Sequence, residues 1–327
     1  MAKERLYWID WMKTFGMLFI ILGHIMPVGY KYIYVFSVPL FFVISGFLGH
    51  AEADHKTFWN KSWRNLILPC IIICLIVYPF EALFTWRAGT FEWVQIPKHF
   101  FNCIIGKQGY KMPEGGLGVC WFIYTLFLCK LLQQITSKSR AVDIVVICGC
   151  IAIAIWYNMS DLHLHNAVVN TTLAYPFYAV GGGYKCMRDT QNNIPLWIAV
   201  ILFFTGAIVV IIVGEFNGAP WMYDNTYGRN IILFVIGGLM GTFSVFGISY
   251  LLKDFHNRFV DIIAKGTIVI LGFHTLFIRV YEHIPTVMRN TFTDYCAGFI
   301  ILVLFIPFIQ MVEKYFPVLL GTRIVKK

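Results

Sequence analysis

The sequence predicts an all-α, polytopic transmembrane helical bundle, and two observations carry this prediction. Hydrophobic residues make up 58% of the chain and charged residues only 13%, against about 45–50% and about 25% in ordinary soluble domains. The apolar runs are long and continuous, whereas strands of a membrane barrel alternate in polarity. Because backbone groups in lipid must be satisfied internally, continuous runs favour helices.

A span needs about 20 apolar residues, and this requirement divides a single domain, residues 1–327, into about ten helices. The first run lacks a cleavage signature, so we expect a permanent span rather than a signal peptide. The spans are predicted near residues 11–28, 30–49, 66–86, 117–134, 142–158, 170–185, 195–213, 230–252, 264–283 and 294–312.

The distribution of lysine and arginine predicts the orientation, because cytoplasmic loops are enriched in both. With the N-terminus inside, the inner segments hold seventeen of these residues and the outer segments seven. Both termini are therefore expected in the cytoplasm. This bias and anionic lipid explain the net charge of +9, and no basic-aromatic pattern indicates a nucleic-acid partner. The long outer segment, 87–116, is either a cap over the outer mouth or a plain loop.

The first helix carries the strongest functional signal: Asp10, Lys13 and His24. Titratable groups within a span are costly and usually face a wet cavity or a bundle interior. Eleven residues separate Lys13 from His24, which places both on one helix face about 16 Å apart along the axis. Asp10 lies on the same face and can pair with Lys13. The alternative is that Asp10 and Lys13 are interfacial anchors and His24 a hydrogen-bonded packing residue.

Two further spans contribute polar groups at a similar predicted depth. The second contains FSVPLFFVISGF (36–47), where Ser37 offers a hydroxyl and Pro39 and Gly46 suggest a broken helix or close packing. The ninth contains His274 near its middle and Arg279 further on. A cavity shared by His24 and His274 is expected, although two unrelated packing histidines are the alternative.

Other patterns carry less information. Lys61 and Arg64, just before the third span, fit either the positive-inside bias or a site for a phosphate-bearing ligand. The nine cysteines lack the paired spacing of a zinc site and are interpreted as buried hydrophobes. Two intramembrane histidines and a carboxylate are a conceivable ligand set, but no metal-binding spacing supports it, so no metal is expected.

Together these segments resemble the acyltransferase 3 family of integral membrane acyltransferases, especially its short branch that acetylates sugars and lacks an extra hydrolase-like domain. The specific matches are RLYWIDWMKTFGMLFIILGH and FSVPLFFVISGF; WRNLILP, CWFIYTLF, YPFYAVGGGY and AKGTIVILGFHTLF are weaker ones. Family members pair a basic residue with a histidine eleven positions on, here Lys13 and His24. Many members have arginine at the position of Lys13. Lysine keeps the positive charge but lacks the planar guanidinium group of arginine.

The resemblance implies an O-acyltransferase, an O-acetyltransferase in its expected form, that moves an acyl group from cytoplasmic acyl-CoA to a hydroxyl of a glycan or lipid-linked sugar. His24 is expected to be the general base, with Lys13 and Asp10 beside it. No cofactor is expected beyond this donor substrate, and the protein can be an oligomer. Lys61, Arg64 and Ser37 are assigned to the acyl-CoA; His274, Trp121 and Arg279 are assigned to the acceptor.

A transporter or proton-coupled carrier using Asp10, Lys13, His24 and His274 is the alternative function, because buried titratable groups also relay protons. Many carriers contain two related halves. The sequence shows no second copy of the polar pattern of the first span, so the enzyme is favoured.

Overall fold

The computed structural model describes residues 5–87, 89, 97, 100, 101, 105, 120–160, 162, 164–190, 194–284 and 288–321, with backbone alone for residues 85 and 186–190. These residues are helical or in turns, apart from one isolated bridge between Trp221 and Thr226. The helices are α1 (Tyr7–Ile25), α2 (Tyr30–Leu48), α3 (His55–Ser62), α4 (Leu68–Arg87), α5 (Cys120–Thr136), α6 (Arg140–Asn158), α7 (Asn166–Thr190), α8 (Leu196–Asn217), α9 (Ile231–Leu251), α10 (Arg258–Lys265), α11 (Thr267–Glu282) and α12 (Thr291–Tyr315). A π-helical segment, Trp63–Ile67, joins α3 to α4.

Each of the ten predicted segments overlaps one of these helices, so the all-α prediction is confirmed. Six helical stretches in the described chain are long and apolar enough to cross a membrane: α2, the α3–α4 stretch, α6, α8, α9 and α12. The pair α10–α11 makes a seventh if it is one span, bent by 86°. The chain is therefore a multi-pass membrane protein. The count of ten spans and the cytoplasmic position of the termini stay predictions, and the outer segment 87–116 lies almost wholly outside the described residues.

Helix α1 lies within the bundle, because thirteen of its nineteen residues are buried. It ends at Ile25, earlier than the predicted residue 28. Met26 adopts the left-handed conformation with φ of 58°, which is uncommon for a residue other than glycine. Pro27 follows and cannot donate a backbone hydrogen bond, so the helix stops here. His24 consequently lies in the last turn of α1 rather than in the middle of a span.

Helix α2 runs antiparallel to α1 and is continuous through Pro39, so the suggested break in this helix is wrong. Gly46 is used for packing instead. A Cβ atom at Gly46 would lie 1.8 Å from the carbonyl oxygen of Tyr178, and one at Gly181 would lie 2.0 Å from that of Val43. The absence of side chains at both glycines therefore lets the backbones of α2 and α7 touch.

Two clusters of buried side chains form the core. The larger surrounds α1 and is built with α2, α4, α9, α11 and α12. The smaller joins α5, α6 and α7 to one side of α2 and the start of α9. Because α1 lies in the larger cluster, its polar residues Asp10 and Thr14 are buried within the bundle.

Candidate active site

Two imidazole rings meet inside the bundle. The ring centroids of His24 on α1 and His274 on α11 are 4.7 Å apart, with the ring planes inclined at 56°. The expectation that these residues share one location is therefore met, although 250 residues separate them in the sequence. Neither histidine serves only to pack against an apolar neighbour.

The hydrogen bonds of His274 determine which of its ring nitrogens carries the proton. Nδ1 lies 2.8 Å from the carbonyl oxygen of Leu271 and 3.1 Å from that of Ile270. Carbonyl oxygens only accept, so Nδ1 must be the donor. In the neutral ring, Nε2 is then an acceptor, and no described residue donates to it. His274 therefore holds a bare lone pair, and its side chain is fully buried.

His24 differs from His274 because its side chain is exposed, although its neighbours Gly23 and Ile25 are buried. One side of the ring faces the buried ring of His274. No hydrogen bond joins His24 to another described residue. An accessible imidazole beside a buried, proton-oriented one can take up and return a proton from a bound molecule.

The charged end of α1 is arranged differently from the prediction. Asp10 is buried and pairs with Arg5, whose Nε lies 2.7 Å from Oδ2 of Asp10, rather than with Lys13. The guanidinium of Arg5 also lies 2.7 Å from Asp261 on α10. A planar guanidinium can bridge two carboxylates, which an ammonium group does less well. Lys13 is half-buried and forms no ion pair with any described residue.

The polar stripe predicted along α1 is interrupted. Met17 and Ile20 occupy the same helix face between Lys13 and His24, and both are buried, at 2% and 8% exposure. Lys13 and His24 thus share a face at about 16 Å along the axis, but packed apolar side chains separate them. In the described structure His24 contacts His274, and Lys13 contacts neither histidine.

Ser37 and Trp121 do not join the histidine pair. The antiparallel pairing of α1 and α2 sets Gly23 beside Ile33 and Gly16 beside Phe41. Ser37 is therefore level with about Phe19, more than one helical turn from His24. Trp121, on α5, is buried in the smaller core cluster.

Arg279 lies on α11 five residues after His274 and is held by two acidic side chains. Its guanidinium is 3.9 Å from Glu81 on α4 and 3.7 Å from Glu282. Glu81 is a buried carboxylate that the sequence analysis did not single out. Arg279 therefore joins α4 to α11 near the histidine pair.

Lys61 and Arg64 follow α2 in the chain. The last turn of α2 lies beside the first turn of α1, where Phe47 contacts Trp8, so both residues lie at the end of the bundle where α1 begins. Lys61 is exposed and pairs with Glu52, just beyond α2. Arg64 is exposed within the π-helical segment and has no ion pair among the described residues. π-Helical turns occur frequently at functional sites.

One cavity of about 120 Å³ lies at this same end of the bundle. Its walls are apolar and include Trp8 and Met12 of α1, Phe47 of α2 and Tyr184 of α7. Three helical turns separate it from His24, so it is not the place where the two imidazoles meet.

Sequence reasoning missed two groups of residues. The Arg5 bridge was missed because Arg5 precedes the predicted span and Asp261, which Arg5 also contacts, is distant in sequence from Asp10. The other group is a set of three buried thiols, Cys70, Cys74 and Cys120, that lie close together. The spacing of four between Cys70 and Cys74 was the available signal for that group, because it puts both on one helix face.

Comparisons with known proteins identify the family of this chain. Nodulation protein NolL of Mesorhizobium japonicum is 22% identical over an alignment of 223 residues, which covers 64% of this chain and 54% of that protein. The chain thus spans about half the length of this relative. No solved structure matches. A family model described as an acyltransferase domain, acyltransferase 3, matches residues 6–311. Because the match covers nearly the whole sequence, the chain belongs to the acyltransferase 3 family.

Proposed function

We propose that this acyltransferase is a membrane-embedded O-acyltransferase that moves an acyl group, an acetyl group in the simplest case, from acyl-CoA to a hydroxyl of a glycan or glycan precursor. His24 is the general base. The observation that carries the proposal is the contact of the accessible imidazole of His24 with the buried ring of His274. A neutral imidazole suits proton transfer at cellular pH.

In the proposed reaction, the acceptor hydroxyl attacks the thioester carbonyl while its proton passes to His24. The tetrahedral intermediate then collapses, the carbon–sulfur bond breaks, and the proton returns from His24 to the departing thiolate of CoA. A base at this position typically contributes about 10²- to 10⁴-fold. We favour direct transfer, which needs no covalent enzyme intermediate.

His274 is proposed to orient His24 as a positioning residue. Its Nε2 lone pair, fixed by the Nδ1 hydrogen bonds, accepts a hydrogen bond from one nitrogen of His24 after a small ring rotation. The other nitrogen of His24 is then left as the base. This role replaces acceptor binding as the favoured one for His274, because a fully buried side chain offers a sugar little surface.

The donor is proposed to enter at the cytoplasmic end, where Lys61 and Arg64 are exposed and suit the phosphates of acyl-CoA. Lys13 supplies a further positive charge at this end. The flexible arm of the donor must then deliver its thioester about 16 Å further along α1, past the segment packed by Met17 and Ile20. We propose that the acceptor sugar reaches the exposed side of His24 from the opposite face, with Arg279 further along α11.

The experiment is release of CoA from acetyl-CoA by the purified protein, with candidate glycans added one at a time. We expect His24→Ala to abolish release while the thermal melting of the protein is unchanged. His283→Ala is the matched control, because His283 follows α11, is exposed, and bonds only the carbonyl oxygen of Arg279 within the described chain. Full activity of His24→Ala with an accepted glycan would remove the assignment of the base.

The family assignment favours this enzyme over the proton-coupled carrier. A carrier would need its titratable groups along one path. Asp10 instead pairs with Arg5, which also contacts Asp261, far from His24.

A further inference from the structure

Three thiol groups meet where α4 passes the start of α5. Cys70 and Cys74 lie one turn apart on α4, and Cys120 is the first residue of α5. All three are buried, with exposures of 2%, 0% and 1%, and their sulfur atoms lie within 4.8 Å of one another. The Sγ atoms of Cys74 and Cys120 are 3.1 Å apart. We refer to these three residues as the thiol cluster.

We propose that the thiol cluster binds a zinc ion through three thiolates. A zinc–sulfur bond of about 2.3 Å in a tetrahedral site requires sulfur atoms about 3.8 Å apart. The spacing in the cluster ranges from 3.1 Å to at most 4.8 Å, so shifts of about 1 Å or less complete the geometry. The fourth position is left for a water molecule or a side-chain oxygen.

The chemistry of the ligands selects the metal. Thiolates are soft ligands that prefer zinc and similar cations to magnesium or calcium. Binding converts three thiols to thiolates, so each zinc ion taken up releases three protons and leaves a complex with one net negative charge. Burying a complex with one net charge has a smaller desolvation cost than burying three separate thiolates.

The ion would stabilise a packing contact of α11, the helix that carries His274. Ile73 lies between the two cysteines of α4, and a Cβ atom at Gly272 of α11 would lie 2.6 Å from its Cδ1 atom. Gly272 precedes His274 by two residues. Joining α4 to α5 through zinc therefore holds Ile73 against the helix that carries His274. This ion is structural, and acyl transfer itself needs no metal in the mechanism above.

The proposal is tested on the full chain, purified in detergent micelles and stripped of metal under anaerobic conditions. Cadmium is the probe, because it takes the ligands of zinc and its thiolate complexes absorb in the ultraviolet. We expect the charge-transfer band to saturate at one cadmium per chain and to weaken when a large excess of zinc competes for the thiolates. Cys74→Ser and Cys120→Ser should lose this saturable band.

Cys129→Ser is the matched control, since Cys129 is equally buried but lies in the smaller core cluster. It should keep the band, and zinc should raise the melting temperature of this variant and of the wild type but not of Cys74→Ser. Failure of the wild type to saturate at one equivalent would overturn the proposal, whatever the folding of the variants. An unchanged band in a folded Cys74→Ser protein, or a Cys74–Cys120 disulfide in protein isolated anaerobically, would also overturn it.

Discussion

The two nitrogens of His274 can be tested separately by substitution. Asparagine places a polar group near the position of Nδ1 and none near Nε2. Glutamine reaches further and can place its carbonyl oxygen near the position of Nε2. If Nε2 accepts a hydrogen bond from His24, then His274→Gln should retain more activity than His274→Asn. Both variants keep a polar group in a fully buried position, so they form a matched pair.

The burial of His274 sets the size of the expected effect. Its side chain has 0% exposure, so water cannot readily replace the lost acceptor. A hydrogen bond of this kind contributes about 0.5–1.5 kcal/mol net, so its loss corresponds to roughly a 2- to 13-fold loss of kcat. Removal of the base itself in His24→Ala should cost about 10²- to 10⁴-fold.

The assay is a double-mutant cycle on the rate of CoA release at saturating donor and acceptor. If His274 acts only through His24, the double variant His24→Ala/His274→Asn should be no slower than His24→Ala alone. Losses that multiply would show that His274 acts independently of His24. A His274→Asn enzyme with wild-type kcat would refute the positioning role while leaving the role of His24 intact. Thermal melts of each variant separate these results from misfolding.

Two further predictions concern the architecture. Gly181→Ala should lower the free energy of unfolding by about 1–3 kcal/mol, because the new Cβ atom would meet the carbonyl oxygen of Val43. Gly183→Ala, where that atom meets open space, should cost nothing in the same denaturation assay. A membrane-impermeant maleimide applied to whole cells should label Arg229→Cys and leave Lys138→Cys unlabelled. Both positions are exposed, and the reverse pattern would invert the predicted topology.

The helices were predictable because each apolar run is long enough to reveal itself locally. Their ends were less so. The end of α1 depends on the left-handed conformation of Met26, whose backbone N–H bonds the carbonyl oxygen of Leu22, and on Pro27. A hydropathy pattern does not reveal such a turn. Pro39 shows the opposite error: it suggested a break, yet α2 continues because neighbouring helices pack around it.

The proximity of the two histidines was predictable from their expected depth in the membrane. His24 and His274 were expected at one level of the membrane, and the helices do bring their rings together. The pairing of Asp10 was mistaken because local spacing favoured Lys13, whereas Arg5 can reach two carboxylates at once. The thiol cluster depends on the approach of α5 to α4, a tertiary contact that no local pattern encodes.

The separation of charge along α1 bears on the choice between enzyme and carrier. A proton relay requires successive groups within hydrogen-bond reach, but Met17 and Ile20 fill the face between Lys13 and His24. At the other end, the turn after His24 is anchored to the region of α12, where Tyr295 donates to the carbonyl oxygen of Val28. A fixed turn holds the imidazole in one place, which suits a base that must meet a bound hydroxyl at a defined position. An imidazole held rigidly at one end of α1 is the arrangement expected for chemistry on a bound substrate. A carrier would instead need a proton path from Lys13 to His24 along this helix.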